Sequence, residues 1–473
     1  MIADLKPYAE YKASSQEWLG DLPAHWSILR AKYLFHEVDE RSTTGKEELL
    51  SVSHLTGVTP RSQKAVTMFL AKSNIGHKIC RPDDLVINTM WAWMGALGVS
   101  RHDGIVSPAY GVYRPLSKSK ILPRFADLVL RTPAYAAEYQ RCSTGVNSSR
   151  LRLYPEKFLR MAVIVPPLDE QDAIVRFLAW TNGRINQAVR AKQKVIALLN
   201  EQKQAIIHRA VTRGLDTSVS LKSSGIPWLG DMPVHWEVRR LKTLCSFVTS
   251  GSRGWGRYYA DSGSIFLRIG NISTNSIELR LNRITYVNPP VDAEGERTRV
   301  LPDDILLSIT AQIGAVGIVP NEVGDAFVNQ HTALIRLKNG TVLPRWAAYS
   351  LLSQFGKDQC RLLTNGGTKV GLTLNDVRCL VLLFPPMEEQ VRIVHGIERQ
   401  TQDLNNAIAR LEREIDLLRE YRTRLVADVV TGKLDVREAA AKLPVEELAS
   451  EPGEELVDDD SEMIEDEITE PVG

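Results

Sequence analysis

The chain has 473 residues, 44% of them hydrophobic and 24% charged, which is the composition of a soluble globular protein. It lacks an apolar run of the ~18 residues that a membrane span needs, and its beginning lacks a signal-peptide pattern, so we expect no membrane association and a cytoplasmic location. The five cysteines are scattered without a Cys-x-x-Cys pair, which predicts reduced thiols and no structural metal site.

The net charge of +1 conceals an uneven distribution of charge along the chain. From Ala441 to the end there are 13 acidic residues and one lysine, whereas the remainder carries 57 Lys or Arg residues against 44 acidic ones. A basic body favours a polyanionic partner such as nucleic acid. The acidic end is predicted to be disordered, either as a solubility appendage or as a competitor of nucleic acid for the basic body.

Residues 1–26 form an N-terminal Trp-rich segment that ends in the motif WLGDLPAHW. The motif recurs as WLGDMPVHW at the end of a second Trp-rich segment, residues 217–236. His25 and His235 repeat inside the motif without other candidate metal ligands, so we interpret both as packing or hydrogen-bonding residues. An internal repeat of this kind predicts a duplicated architecture.

A variable region follows each Trp-rich segment, over residues 27–165 and 237–384. The two regions differ in sequence but share a skeleton, because PDDLVIN precedes GALGV in the first and PDDILLS precedes GAVGI in the second. Short β-branched runs interrupted by Gly and by Asp-Asp turns predict strand-rich mixed domains. We therefore expect an α+β fold with two similar domains whose surfaces differ, which suits the recognition of two different targets.

Two long helices are predicted after the variable regions, over residues 166–216 and 385–436. Each begins with a Pro-Pro step and an acid-Glu-Gln run and ends in Val-Thr-x-x-Leu-Asp. Each belongs to a repeated 66-residue segment, residues 151–216 or 370–435, and the two copies align without a gap at an offset of 219. Apolar residues recur at alternating spacings of four and three, which indicates a heptad seam and an intramolecular coiled coil ~60 Å long. The alternative is that each helix serves the core of its own domain.

The predicted seam includes Leu178, Ile185, Val195, Leu199, Ile206, Ile397, Leu404, Leu411, Leu418 and Leu425. Polar residues also fall on it, at Lys192, Gln202 and Glu414, where they are expected to fix the helix register. The remaining residues, 437–473, are predicted to form the disordered acidic tail.

We find no constellation of residues that predicts catalysis by this chain. Asn288-Pro-Pro-Val resembles the Asn-Pro-Pro-aromatic signature of amino-methyltransferases, but Val291 replaces the aromatic residue and no Gly-rich cofactor strand precedes it, so a turn is the better interpretation. A nucleophile–base pair and a paired-carboxylate site are also missing from the sequence pattern. We therefore expect a non-catalytic recognition subunit whose partners carry the chemistry.

The chain closely resembles the specificity (S) subunits of type I restriction–modification systems over about residues 8–440. The resemblance rests on the two Trp-rich motifs, the two helix starts, the two helix ends and the variable regions between them. It implies that each variable region is a target-recognition domain for one half of a split, asymmetric sequence in double-stranded DNA. It also implies that the long helices pack antiparallel, separate the two domains and give a pseudo-twofold duplicated architecture.

The resemblance further implies protein partners for the chain. These are two modification (M) subunits that use S-adenosylmethionine to methylate adenine, and two restriction (R) subunits that use ATP and Mg²⁺. No cofactor or metal is then expected in this chain itself. Two other functions stay open: a specificity subunit of a stand-alone adenine methyltransferase, and a nuclease or methyltransferase that is catalytic in its own right.

DNA-contacting residues are predicted from residue type and loop placement. The run SGSRGWGRYY, residues 250–259, lacks the Lys-Ser/Thr end of a phosphate-binding loop and is predicted to be a DNA-contacting loop or a plain one. In NTMWAWMGALG, residues 88–98, the indoles either pack in the core or face a DNA groove. The candidates are Arg61, Lys64, Lys72, Trp91 and Arg101 in the first domain, and Arg253, Trp255, Arg257, Tyr258, Asn271, Asn329 and Gln330 in the second.

Overall fold

The computed structural model describes residues 5–63, 73–117, 120–145, 151–226, 228–251, 253–289, 293–364 and 371–444. The candidates Lys64 and Lys72 and most of the predicted acidic tail lie outside these residues. The chain divides into two compact units: residues 1–191 with 413–473 form the first unit, and residues 192–412 form the second. Each unit therefore receives one part of each long helix.

In the first unit, β-branched and aromatic runs form short strands, as their residue types favour. These strands are β1 (Tyr11–Ala13), β2 (Asp21–Pro23), β3 (Ser27–Arg30), β4 (Phe35–Glu37), β5 (Leu50–Ser53), β6 (Gly57–Pro60), β7 (Lys78–Cys80), β8 (Leu85–Ile87), β9 (Leu97–Val99), β10 (Gly104–Val106), β11 (Gly111–Pro115) and β12 (Ala162–Val165). Helices that open with a proline, where no intrahelical N–H is needed, are α1 (Pro123–Leu130), α2 (Pro133–Cys142) and α3 (Pro155–Arg160). The long helix α4 (Leu168–Arg213) begins in this unit.

The second unit follows the same plan with additional elements. Its strands are β13 (Leu221–Ser223), β14 (Asp231–Pro233), β15 (Glu237–Arg240), β16 (Cys245–Ser250), β17 (Tyr259–Ala260), β18 (Ser264–Leu267), β19 (Thr285–Val287), β20 (Ile305–Ser308), β21 (Val316–Ile318), β22 (Ala326–Val328), β23 (Thr332–Leu337) and β24 (Val381–Phe384). Its helices are α5 (Leu241–Leu244), α6 (Ala293–Thr298), α7 (Pro344–Leu352), α8 (Gln354–Thr364) and α9 (Leu374–Cys379). The second long helix, α10 (Met387–Val430), begins here, and α11 (Arg437–Ala441) lies in the first unit.

Each unit contains an antiparallel four-stranded sheet with the same strand order. The order is β4-β11-β8-β9 in the first unit and β16-β23-β20-β21 in the second. The strand that leads into each long helix, β12 or β24, pairs with the strand that follows each Trp-rich motif, β3 or β15. The prediction of two similar strand-rich domains is confirmed. The second unit adds the sheet β17-β19-β18-β22, in which β18 and β22 are parallel.

The Asp-Asp steps form turns and also brace both sheets. In each step the first aspartate has a positive φ, 72° or 67°, in the left-handed region that aspartate tolerates in turns. The second aspartate is buried and pairs with an arginine on the neighbouring strand of the sheet, β11 or β23. Asp84 accepts two hydrogen bonds from Arg114 at 2.9 and 3.0 Å, and Asp304 accepts two from Arg336 at 2.9 and 2.7 Å. The same bidentate ion pair therefore recurs in two domains of different sequence.

Glu170 is buried at the start of α4, where it binds the N-terminal Trp-rich segment. Its carboxylate lies 2.6 Å from His25 Nε2 and accepts hydrogen bonds from Trp26 Nε1 at 2.9 Å and from the Tyr8 hydroxyl at 3.2 Å. Arg437 donates to the same carboxylate at 3.3 Å. The prediction that His25 is a hydrogen-bonding residue is consistent with these contacts. A buried carboxylate with several donors holds together segments that are far apart in sequence.

A glutamine follows Glu170 and also its counterpart Glu389 at the start of α10, and each glutamine fastens its helix start to the recognition domain. Gln171 Oε1 accepts the backbone N–H of Leu122 at the start of α1 at 2.7 Å, and Gln390 Oε1 accepts that of Leu343 at the start of α7 at 2.9 Å. Both glutamines donate Nε2–H back to the first carbonyl of their own Pro-Pro step. The Glu-Gln pair thus explains why the run recurs before both long helices.

The hydrogen bonds around Glu389 in the second unit are fewer than those around Glu170 in the first. Glu389 Oε2 lies 2.7 Å from His235 Nε2, but no described residue accepts a hydrogen bond from the buried Nε1 of Trp236. At the offset of 210 between the Trp-rich segments, Ser218 stands where the first unit has Tyr8, and its short side chain is exposed. The buried carboxylate is therefore more heavily bonded in the first unit than in the second.

Burial along the long helices follows the predicted seam only in part. Leu178, Ile185 and Leu425 are buried in the first unit, and Ile397 is buried in the second. The half-buried predicted positions are Leu199, Ile206, Leu404, Leu411 and Leu418.

The predicted seam is wrong at Val195, which is 45% exposed, and at Gln202, which is also exposed. A straight α-helix drifts by ~20° per heptad relative to a strict 3.5-residue repeat. After several heptads the inward stripe has therefore moved by one residue. Lys203 and Ile207 are buried in this stretch.

Each unit contains a hydrogen bond between the two helices that the heptad analysis did not predict. In the second unit the buried Lys203 donates to Asn405 Oδ1 at 2.7 Å, and in the first unit Arg422 donates to Asn186 Oδ1 at 3.3 Å. The offset of 219 relates the two pairs, so each helix contributes one asparagine and one cation. Burial lowers the pKa of Lys203. Of these four residues Lys203 is buried, Asn186 and Arg422 are half-buried and Asn405 is exposed. A polar contact between paired helices favours one register of the helices at a cost in stability.

The helices run antiparallel within each unit. In the first unit Ile174 shares a hydrophobic core with Val429, near the opposite ends of their helices, and Asn186 meets Arg422 further along. In the second unit Ile207 shares a core with Ile393, which gives the same opposition of direction.

The predicted start of the disordered tail at residue 437 is corrected by the structure. Residues Arg437–Ala441 form α11, and Val436, Ala440 and Leu443 are buried in the core of the first unit. The apolar spacing of this short stretch gives it a packing face, which its acidic neighbours obscured in the sequence. Residues 445–473 lie outside the described residues.

We predict that Glu170→Ala loosens the N-terminal Trp-rich segment far more than Glu389→Ala loosens the second one. The first substitution leaves the buried donors of Trp26 and Tyr8 without an acceptor, at a cost of about 2–4 kcal/mol. The second removes one partly exposed contact, worth about 1 kcal/mol or less. Hydrogen-exchange mass spectrometry should show amide exchange in residues 18–26 rising roughly 30-fold or more, and less than about tenfold in residues 228–236. Equal increases at the two sites would contradict this account.

Candidate functional site

The Gly-rich loop of the second domain is held against the strand end that carries Asn329. The backbone N–H of Gly251 donates to the carbonyl of Asn329 at 3.1 Å. A Cβ at position 251 would lie 2.1 Å from the carbonyl oxygen of Val328, so only glycine permits this approach. Arg297 donates to the Ser250 carbonyl at 2.6 Å and fixes the base of the loop. The base of the Gly-rich loop therefore lies against the end of β22, where Asn329 begins the next loop.

Trp255 does not face DNA as predicted, because the loop folds back over a small apolar core. Its side chain is 3% exposed and stacks on Phe266 with ring centroids 5.6 Å apart, next to Phe327. The indole Nε1 donates to Glu294 Oε1 at 3.1 Å. The extra sheet of the second unit, which the sequence pattern did not reveal, supplies this core.

The arginines of the same loop lie on the outside. Arg253 and Arg257 are exposed, and the Arg257 guanidinium lies 4.7 Å from the ring centroid of Tyr258. Tyr258 is half-buried against Trp255, which limits its freedom. The stack presents a guanidinium edge in a fixed direction, an arrangement suited to bidentate hydrogen bonding with a base or a phosphate.

Two predicted DNA-contacting asparagines are structural instead. Asn271 is buried, its Oδ1 accepts the backbone N–H of Arg268 at 2.9 Å, and its Nδ2 donates to the carbonyl of Arg280 at 2.8 Å. Asn329 is also buried, and its Oδ1 accepts a hydrogen bond from the Thr332 hydroxyl at 2.9 Å. Asparagine commonly satisfies turn backbone in this way, which residue type alone does not distinguish from base recognition.

Gln330 is half-buried beside a histidine that was not predicted. Gln330 Nε2 lies 2.9 Å from His331 Nε2, and His331 Nδ1 lies 3.0 Å from the Thr310 hydroxyl. Thr310 belongs to the loop after β20, which corresponds to the Trp-containing loop of the first domain. The one sequence signal for His331 was its position next to Gln330 at the end of a strand. Gln330 and His331 are side chains of a kind that hydrogen-bonds to base edges.

The candidates of the first domain are spread over separate loops. Trp91 is half-buried and stacks on Trp93 with ring centroids 6.0 Å apart, so the two indoles pack on each other at the surface of the loop after β8. Arg61 begins a short turn after β6, and Arg101 is exposed after β9. No side-chain contact among the described residues joins these three candidates. Lys64 and Lys72 fall outside the described residues.

The described residues contain no group of three or more His, Cys, Asp or Glu side chains arranged to hold a metal ion. Burial raises the pKa of Cys80 and of Cys360 to about 12, so both thiols are protonated at neutral pH and are poor nucleophiles. Within the described part of the chain, no helix is long and apolar enough to cross a bilayer.

A protein-family model described as "Type I restriction modification DNA specificity domain" matches residues 233–414. This range contains the whole of the second recognition domain, residues 237–384, and α10 as far as residue 414.

Two relatives resemble a larger part of the chain. The putative type I restriction enzyme MjaX specificity subunit of Methanocaldococcus jannaschii is 22% identical over 329 residues, which are 68% of this chain and 70% of that protein. The type I restriction enzyme EcoKI specificity subunit of Escherichia coli K12 is 21% identical over 399 residues, which are 78% of this chain and 82% of that protein.

A solved chain from a study of complex assembly and conformational transition of the type I R-M system has the same fold. It is 15% identical, with a TM-score of 0.53, and the match covers 87% of this chain and 99% of that one. Residues 233–414 thus match a type I restriction–modification DNA specificity domain, and the chain as a whole is similar to specificity subunits of type I restriction–modification systems.

Proposed function

We propose that this chain selects the DNA target of a type I restriction–modification complex, with each recognition domain reading one half of a split, asymmetric site. The observation that carries the proposal is the repetition of one sheet with different loops. Both domains have the same strand order and the same buried Asp–Arg pair, whereas their exposed loops carry different side chains. A common scaffold with two different reading surfaces suits two different half-sites.

The second domain provides the better-defined reading surface. Exposed Arg253 and Arg257 lie on the Gly-rich loop, and Gln330 and His331 lie on the adjoining loop. Arginine pairs with guanine and glutamine with adenine in the major groove, and either pair contributes about 1–3 kcal/mol of discrimination. The DNA-reading surface of the first domain has three candidate residues, Arg61, Trp91 and Arg101.

The chain supplies recognition, and its partners supply the chemistry. On this proposal two modification subunits bind S-adenosylmethionine and methylate adenine, and two restriction subunits use ATP and Mg²⁺. The long helices separate the two recognition domains and provide docking surfaces for these subunits. The complex works on cytoplasmic DNA.

The proposal predicts methylated adenines within one split motif whose central gap is unread. Cells that carry this chain with its modification subunit are compared with cells that lack the chain, and methylated adenines are mapped across the genome by single-molecule sequencing. A continuous motif, or methylation that persists without the chain, would contradict the proposed function.

A stand-alone methyltransferase partnership is distinguished by affinity purification in the presence of a candidate restriction subunit. Recovery of only the modification subunit would favour that alternative. The purified chain alone, incubated with DNA, S-adenosylmethionine, ATP and Mg²⁺, should neither methylate nor cleave DNA. Activity in that mixture would support the catalytic alternative instead.

We predict that shortening both long helices by one heptad shortens the preferred unread gap. Deleting residues 192–198 together with residues 411–417 removes ~10 Å of helix from each partner, which corresponds to at most about 3 base pairs. Methylation is measured on targets whose gaps differ by single base pairs. Deletion of residues 451–457 is the matched control and should leave the optimum unchanged. If the helix-shortened protein keeps the original optimum, the helices do not determine the gap.

We predict that Arg257→Ala relaxes the requirement at one base pair of the second half-site. Loss of a bidentate contact to guanine should lower discrimination there by about 1–3 kcal/mol and leave other positions unchanged. Competition binding against all single-base variants of the site measures this directly. Arg283→Ala, an exposed arginine on another loop of the same unit, is the control. A uniform loss of affinity on every sequence would make Arg257 a phosphate contact instead.

A further inference from the structure

Three arginines of the second unit are gathered around one buried asparagine. Asn271 Oδ1 accepts the backbone N–H of Arg268 at 2.9 Å, and Asn271 Nδ2 donates to the carbonyls of Arg280 and Arg283 at 2.8 and 3.1 Å. The backbone N–H of Arg280 also donates to the carbonyl of Asn271 at 2.8 Å. One amide side chain therefore holds the main chain of three arginines together. We call Arg268, Arg280 and Arg283 the arginine cluster.

The arginine cluster adjoins the loop that follows β22 and carries the base-reading candidates. Strands β18 and β22 run parallel, so both strands end at the same edge of their sheet. The backbone N–H of Asn329 donates to the carbonyl of Leu267 at 3.1 Å, and the Asn329 carbonyl accepts the N–H of Gly251 at 3.1 Å. Asn329 thus joins the Gly-rich loop on one side to the segment that begins with Arg268 on the other.

The positive charge of the cluster is not balanced within its own segment. Residues 264–289 contain the three arginines and one acidic residue, Glu278. The Glu278 carboxylate accepts a hydrogen bond at 2.6 Å from Arg345, which belongs to another element of the unit. Arg280 and Arg283 are exposed. The segment therefore presents an excess of positive charge to solvent next to the base-reading loop.

The scaffold that the two recognition domains share does not require this cluster. The cluster lies between β18 and β19, which belong to the additional sheet of the second unit. Among the described residues, the first unit contains one four-stranded sheet, whereas the second contains two. Gly270, within the turn that follows Arg268, is exposed, and a Cβ built there would have nothing within 4 Å. The cluster therefore borders open surface that a group outside the chain can reach.

We propose that the arginine cluster binds phosphate groups of the DNA backbone beside the second half-site. This inference rests on the proposed function and adds a contact that carries no base information. The major groove is ~12 Å wide and bordered by the two backbones, so basic groups beside a base-reading loop face phosphates. Guanidinium groups form bidentate hydrogen bonds with phosphate oxygens. Such contacts fix the position of a protein on the duplex, while other residues read the bases.

Asn271 is a positioning residue in this arrangement and does not itself touch DNA. It is buried, and both polar atoms of its side chain are bonded to the main chain of the cluster. Its two amide hydrogen bonds keep the loops of Arg280 and Arg283 side by side. Loss of the amide should therefore separate two arginines that are still present in the chain.

The test measures how salt concentration changes the affinity for DNA. The full-length chain, in complex with its modification subunit, is titrated against a duplex with the split site and against a scrambled duplex. Fluorescence anisotropy reports binding at several salt concentrations. Each phosphate contact contributes about 0.9 to the slope of log affinity against log salt concentration.

Arg280→Ala combined with Arg283→Ala should reduce this slope by about 2. Binding should weaken roughly tenfold or more near 0.1 M salt, and equally on both duplexes. Preference among single-base variants of the site should not change, in contrast to Arg257→Ala. Arg280→Lys combined with Arg283→Lys keeps the charges without the bidentate geometry, so it should restore the slope and part of the affinity.

Arg240→Ala is the matched control for the loss of an exposed arginine. Arg240 precedes α5 and the start of β16, whereas the Gly-rich loop follows the other end of that strand. Its replacement should leave the slope unchanged. Circular dichroism confirms that each variant is folded.

Asn271→Ala tests the positioning of the cluster. It should reduce the slope by about 1–2 although all three arginines remain. An unchanged slope in this folded variant would overturn the role of Asn271. The exposed arginine variants test the cluster itself even if Asn271→Ala does not fold.

Three results would overturn the inference and leave the split-site proposal intact. The first is an unchanged slope in the double alanine variant. The second is a loss confined to one base pair, which would make the arginines base contacts. The third is a slope that responds to the substitutions only after residues 445–473 are deleted, which would assign the cluster to the acidic tail. A wild-type complex that prefers no split sequence would overturn the proposed function instead, and the slope on the scrambled duplex would still test the cluster.

Discussion

The buried carboxylate at the start of the first long helix is the contact on which the junction of the first unit depends. Glu170 receives hydrogen bonds from Trp26, Tyr8 and Arg437, which come from the N-terminal segment and from the residues after α10. The adjacent Gln171 binds the backbone at the start of α1. A two-residue acid–glutamine step therefore joins three separate parts of the chain. Because the carboxylate is buried, its donors have no water to replace it.

The recognition domains combine a repeated interior with different exteriors. The buried Asp84–Arg114 pair and its counterpart in the second unit tie together the same strands in the same order. Loops attached to this interior can change without disturbing it, because their exposed side chains take little part in the core. The second domain uses this freedom to add a whole sheet, and that sheet buries Trp255 and leaves Arg257 outside. Specificity then depends on loops, and stability depends on the strands beneath them.

The long helices carry different side chains on their inward and outward faces. Their inward faces carry apolar residues, and one cation–asparagine hydrogen bond joins the two helices in each unit and favours one helix register. Their outward faces include Leu198 and Leu417, two exposed leucines at positions that the offset of 219 relates. The heptad pattern identifies apolar residues by their spacing and does not show which side of the helix is buried. It therefore placed Val195 on the buried side, although this side chain is exposed. The drift of a straight helix against a 3.5-residue repeat accounts for that error.

Much of the architecture was predictable because the sequence contains two copies of the same segments. The ungapped offset of 219 defined the helices, and the matched Asp-Asp and Gly-rich segments defined two similar domains with alternating strands. The site was less predictable. Asn271 and Asn329 carry side chains that suit DNA as well as they suit a turn, and the fold uses both for turns. Arg257 was correctly expected to be exposed, whereas His331 was missed because a single histidine carries no pattern.

The sequence by itself determined the duplication, the order of the segments and the type of each domain, because these depend on local periodicity and on repeats that can be compared position by position. Only the tertiary structure decided which polar side chains are exposed and which are used internally. That distinction depends on contacts between residues far apart in sequence, such as Glu170 with Arg437 or Gly251 with Asn329. Residue type gives the chemistry that a side chain can perform, and burial decides whether a partner outside the chain can reach it.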